Sequence, residues 1–129
     1  MKVMVFVRAT KDSETGVLPE AGMFEAMGKF NDELAKAGII KAGDGLKPTS
    51  EGKRVRFDGT SRTVTDGPFP ANETIAGYWI WDVKDMDEAV AWVKKCPNPM
   101  PGPSDIEIRP HYTMEDFAEI LAKVGAKKG

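Results

Sequence analysis

The chain has 129 residues, with 18 Lys and Arg against 20 Asp and Glu and a formal net charge of -2. That length suits one ordinary domain, expected over residues 1–129, and is short for two. No run of like charge is long enough to coat phosphates and no apolar stretch nears the roughly 20 residues of a membrane span, so neither nucleic acid nor membrane is an expected partner.

Residues Lys2 to Ala9 alternate, with Val3, Val5, Val7 and Ala9 on one face and Met4, Phe6 and Arg8 on the other. Such a period-two pattern predicts a buried first strand. The apolar run is shorter than that of a signal peptide and lacks a small-residue cleavage site, so a cytoplasmic protein is expected. The following stretch, "TKDSETGVLPE", reads as a polar loop ending at Pro19, a residue favoured in a first helical turn. Met23, Met27, Phe30 and Leu34 then recur at helical spacing and predict a helix from Pro19 to Ala37, with Gly38 as its cap. "IIKAGDGLKP" supplies a second strand.

Two short β-like runs in "KRVRFDGTSRTVT" flank Asp58-Gly59 and predict a hairpin that hangs off the main sheet or extends it. "IAGYWIWDV" is rich in aromatic and branched residues and reads as a strand, with Trp79, Trp81 and Val83 on one face and Tyr78, Ile80 and Asp82 on the other. Asp85 with Glu88 resembles a capping box opening a helix whose apolar face carries Ala89, Trp92, Val93 and Cys96. Pro97 and Pro99 stop it, "DIEIRPH" alternates as a last strand, and a final helix begins at Thr113 with Gly125 as its predicted stop. In this order the elements form a split β-α-β pattern with an inserted hairpin, an α+β fold with helices on one sheet face. The other face carries Met4, Phe6, Tyr78 and Ile80, too apolar for water, and a homodimer joined by stacked sheets is the economical cover.

The stretch "RTVTDGPF", followed by "ETIAGYWIWDVKDMDEAVAWVKKCPNPMPGPSDIEIRP", resembles the YCII-related family, and within it the group named for an Asp-Gly-Pro-Phe motif. "MKVMVFVRA", "FNDELAKAGIIKAGDGLKPTS" and "MEDFAEI" extend the resemblance over nearly the whole chain. It implies a ferredoxin-like fold pairing as a dimeric α/β barrel, bacterial cytoplasmic proteins, and a largely undefined biochemical role, with some relatives accompanying sigma factors. Where relatives typically read "DGPFAETKE", this chain reads "DGPFPANE", so that Asp66 and Glu73 match the outer acids of the pattern.

Several side chains could carry chemistry. Asp66 cannot bond the backbone two residues on, because Pro68 has no N–H; it either accepts from the Phe69 N–H in a turn or points into a cleft as a base or ligand contact. Phe69, extended before Pro70, suits core or interface packing, with substrate stacking the alternative. Arg8, Tyr78 and Asp82, joined by Glu107 and Arg109 if Ile106 and Ile108 face the helices, would line the dimer cavity. They are either a site for a small polar or anionic molecule or an internal ion-pair network. His111 is the natural general acid or base by its ordinary pKa, against a structural role at a strand end. One Cys and one His do not make a zinc site, Cys96 reads as an inert thiol, Met23 and Met27 as helix core, and the glycines form no phosphate loop. No metal or cofactor is expected. Two functions stay open, a ligand-binding or regulatory module and a cofactor-independent enzyme using Asp66 or His111.

Overall fold

A computed structural model describes residues 1–128 of the chain. Strand β1 (Lys2–Arg8) buries Val3, Val5 and Val7 on one face and leaves Met4, Phe6 and Arg8 half-buried on the other. Where a polar loop was expected, a short helix α1 (Lys11–Glu14) forms. Thr10 starts it with a complete capping box: its hydroxyl accepts the Ser13 N–H while the Ser13 hydroxyl accepts the Thr10 N–H. Helix α2 (Ala21–Lys36) begins after the expected Pro19, with Glu20 at the N-cap position and no side-chain cap. Strand β2 (Ile40–Gly45) follows, then a 3-10 turn at Thr49–Glu51.

Strands β3 (Lys53–Asp58) and β4 (Ser61–Asp66) make the predicted hairpin. Asp58 is paired with Ser61, so the connection is Gly59-Thr60 rather than Asp58-Gly59. Gly59 has φ 57°, as required at the first central position of a primed hairpin turn. After a cis Gly67-Pro68 bond and a 3-10 turn at Ala71–Glu73 come β5 (Ile75–Asp82), α3 (Met86–Lys95), β6 (Ile106–Pro110) and α4 (Met114–Lys128). At α3 the Asp85 carboxylate accepts the Glu88 N–H at 2.9 Å, but the Glu88 carboxylate reaches back to the Lys84 N–H, one residue earlier than a capping box requires. Thr113 and Asp116 form the reciprocal pair that opens α4. The expected stop at Gly125 does not occur and the helix runs through it, since Gly125 keeps a negative φ and one glycine costs a helix only about 1 kcal/mol.

The main sheet has strand order β2-β5-β1-β6 with every pairing antiparallel. This mixed α+β arrangement is compatible with a ferredoxin-like fold. Val3, Val5, Val7, Trp79, Trp81 and Val83 close one sheet face against Phe30 and Leu34 of α2 and Ala89 of α3. Phe30 meets Trp79 and Trp81 edge-on at 6.0 and 6.2 Å between ring centres, an arrangement in which a positive ring edge faces a negative ring face. Full burial of a side chain such as Leu34 or Val3 stabilises by about 1.5–3 kcal/mol each, so this face carries most of the fold's hydrophobic free energy. Ile106 and Ile108 pack against the same core, which puts their neighbours Glu107 and Arg109 on the opposite face. The β3–β4 hairpin is a separate two-stranded sheet, exposed along its whole length. Helix α4 leaves Phe117, Ile120, Leu121 and Val124 in solvent.

Candidate functional site

The strand registers set out the open face of the sheet as three cross-strand rows. Tyr78, Phe6 and Glu107 form one, and Ile80, Met4 and Arg109 the next. In the third, Asp82 lies beside Lys2, whose carbonyl accepts the His111 N–H at 2.9 Å. Side chains paired in this way have Cβ atoms about 4.5–5.5 Å apart, so the face has an apolar middle of Met4, Phe6 and Ile80 with charge along its β6 side. Arg8, Tyr78, Asp82, Glu107 and Arg109 therefore share one surface. His111 follows the end of β6 and is tied to the edge of this surface by its backbone bond to Lys2.

Hydrogen bonds tie several of these groups to the protein. The Arg8 guanidinium donates to the Asn72 carbonyl at 2.7 Å and lies 3.6 Å from the Glu107 carboxylate. Tyr78 donates to Asp44 at a long 3.4 Å, and the N-terminal ammonium pairs with Asp82 at 3.3 Å. Arg109 has no carboxylate partner among the described residues. The His111 Nε2 is buried and has no hydrogen-bond partner among the described residues. Each row thus offers at least one polar group only loosely held, which is what a polar ligand needs.

Asp66 is not on this face. It ends β4 and takes an ion pair from Lys53 across the hairpin, with both side chains largely exposed. It does not accept from Phe69 either: that N–H donates to the Thr49 hydroxyl at 2.9 Å. Thr49 in turn gives its own N–H and hydroxyl to the Glu14 carboxylate of α1. Beside it the Gly67 N–H donates to the Gly52 carbonyl at 3.0 Å. A Cβ on Gly67 would lie 1.7 Å from the Thr49 carbonyl oxygen, so only glycine fits there. The Asp-Gly-Pro-Phe stretch is thereby fastened to the Thr49 turn through its glycine and its phenylalanine amide, and not through its acid. Sequence reading missed Thr49 and Glu14; Pro48-Thr49 marks a turn start, but nothing local points to Glu14.

The fastening leaves a groove of about 670 Å³ beneath the hairpin, with apolar walls from Leu46, Pro48, Phe69 and Ile75. Lys53, Arg54 and Glu73 stand in it, and the Arg54 guanidinium lies 4.0 Å above the Phe69 ring and 3.5 Å from Glu73. Phe69 is thus a platform for a cation, half-buried at a groove wall. Cys96 follows the last turn of α3, half-buried, and desolvation pushes its thiol up to about 11. Protonated at neutral pH, it is a poor nucleophile.

The family model for the YCII-related domain matches residues 1–111. The chain belongs to the YCII-related family. No curated protein matches it. The matched residues of this YCII-related domain include the polar groups of the open face, His111 and the whole Thr49 fastening, and they end before α4.

Proposed function

We propose that this YCII-related protein is a homodimeric binding module for a small polar or anionic molecule, its open sheet face turned toward a second copy. The observation that supports this most is the set of three rows, an apolar strip of Met4, Phe6 and Ile80 left uncovered by the helices and bordered by Arg8, Tyr78, Asp82, Glu107 and Arg109, with His111 at its edge. Stacking two such faces about a twofold axis buries the same strip on each copy and encloses the polar border, the dimeric barrel that the family resemblance implies. Arg8 is the principal anion contact, since its exchange of Glu107 for a ligand carboxylate or phosphate costs little at a partly exposed pair. The setting is the bacterial cytoplasm, and a regulatory role beside a sigma factor is how a bound molecule would be read out. A second reading, proton transfer by His111, draws support from its Nε2, buried and without a hydrogen-bond partner among the described residues.

Sedimentation at micromolar concentration is expected to give about twice the 14.1 kDa chain mass, and Ile80→Glu to give the single chain. A thermal-shift screen of metabolic acids is expected to yield a stabilising ligand, worth roughly 2.7 kcal/mol at 100 times its dissociation constant, whose effect disappears in Arg8→Met. A monomer at all concentrations, or a ligand effect indifferent to Arg8→Met, overturns the reading. Consumption of the ligand by the wild type but not by His111→Gln decides for the enzyme.

A further inference from the structure

The hairpin has two unlike faces. Lys53, Val55 and Phe57 alternate with Arg54, Arg56 and Asp58 along β3, and the register sets Arg54 across from Thr65 and Arg56 across from Thr63. Two guanidiniums and two hydroxyls therefore share a surface, the arginines about 7 Å apart at the repeat of a strand. A second cleft of about 380 Å³ lies on this surface, lined by Arg54, Val55, Arg56, Thr65 and Phe69. It shares Arg54 and Phe69 with the groove beneath the hairpin.

The charges around the two clefts do not balance. Lys47 pairs with Glu51, Lys53 with Asp66 and Arg54 with Glu73, whereas Arg56 has no carboxylate partner among the described residues. Neither Thr63 nor Thr65 gives its hydroxyl to a protein acceptor among the described residues, so both are free to donate. Arg54 differs from a wandering surface arginine because its guanidinium carbon lies 4.0 Å above the centre of the Phe69 ring, and Phe69 is itself held through its backbone N–H by Thr49. The guanidinium is in this way positioned before any ligand arrives. Glu73 is a weak competitor at 3.5 Å and mostly exposed, a pair of a kind that contributes little and exchanges readily.

We propose that the Arg54–Arg56 face of the hairpin binds a small organic phosphate, with its phosphoryl group held by the two guanidiniums and the Thr65 hydroxyl and its apolar body against Phe69. A cleft lined by two guanidiniums and a hydroxyl and by no carboxylate suits a fully ionised tetrahedral anion, and the planar guanidinium fork matches two phosphoryl oxygens at once. Two cations suit a dianion better than a single carboxylate. This site is distinct from the open sheet face and does not depend on the proposal made for it, since none of the open-face polar residues lines either cleft.

Phenyl phosphate serves as the probe, titrated at constant ionic strength and followed by backbone amide NMR, with inorganic phosphate, benzoate and phenol alongside. Saturable shifts are expected at residues 54–56, 65 and 69, weaker with inorganic phosphate and benzoate and absent with phenol. Arg54→Met and Arg56→Met should each weaken the dissociation constant at least tenfold, and Arg8→Met should leave it unchanged. Circular dichroism and melting of the variants check folding, and because both arginines are exposed the fold is expected to survive. Unsaturable shifts, equal response to phenol, or affinity retained in the double variant Arg54→Met with Arg56→Met overturn the proposal. Loss of binding in Arg8→Met with retention in the hairpin variants overturns it too, and assigns the anion to the sheet face instead.

Discussion

The four-stranded sheet and the two-stranded hairpin are built from strands of similar length, yet they are held in opposite ways. In the sheet, side chains do the holding: Val3, Val5, Trp79 and Trp81 are sealed beneath α2 and α3. In the hairpin every strand residue is exposed, and an isolated two-stranded ribbon is at best marginally stable in water. It is secured at its base by backbone groups, the Gly67 and Phe69 amides on the Gly52 carbonyl and the Thr49 hydroxyl. A strand can therefore be legible in a sequence while its attachment is not. The first kind of attachment is distributed over a dozen buried residues; the second rests on three or four.

Breaking each attachment separates the two. Trp81→Ala empties a fully buried site against Phe30 and Trp79, and is expected to destabilise the whole domain by about 4 kcal/mol, seen as a lower midpoint in urea with all probes moving together. A loss below about 2 kcal/mol would mean that the core collapses around the gap. Gly67→Ala places a methyl group on the Thr49 carbonyl oxygen and is expected to cost about 3 kcal/mol. Its signature differs from that of the core variant. Amide exchange should speed up in β3, β4 and the Thr49 turn, while the amides of β1 and β5 keep most of their protection. Uniform loss of protection would show that the hairpin and the sheet are one cooperative unit, and the distinction drawn between them would fail.

The same contrast explains what the sequence could tell. Alternation in "KVMVFVR" and "IAGYWIWD" is a local signal, and it gave both faces of the sheet, including the grouping of Arg8, Tyr78, Asp82, Glu107 and Arg109. Pairings across it were out of reach. Arg8 bonds a carbonyl 64 residues away, and which carbonyl depends on where the Ala71–Glu73 turn comes to rest. The hairpin fastening joins Phe69 to Thr49 across 20 residues and Thr49 to Glu14 across 35, with α1 as an unforeseen carrier of that glutamate. Helix boundaries failed for a smaller reason: Pro19 and Gly125 have the conformations their positions permit, and neighbouring residues decide whether a helix uses them.

Asp66 is where the two modes of attachment meet, and the effect expected there is the smallest. It closes the hairpin through Lys53, an ion pair whose side chains are 65% and 75% exposed, so solvent screens it and its contribution lies between zero and about 1 kcal/mol. Asparagine in its place keeps an oxygen that can accept from Lys53 and a residue at home in turns. Asp66→Asn is therefore expected to change stability by no more than about 0.5 kcal/mol, and to leave both the ligand effect that depends on Arg8 and the binding of phenyl phosphate as they were. A larger loss of stability, measured by the urea midpoint at constant slope, would make the acid part of the fastening and place it beside Gly67 and Phe69 in importance. Unchanged melting with loss of ligand response would instead make it a proton acceptor or ligand contact. The backbone already supplies the fastening without it, and a carboxylate that faces solvent on the hairpin, already paired with a lysine, stands in no cleft where a substrate proton would meet it.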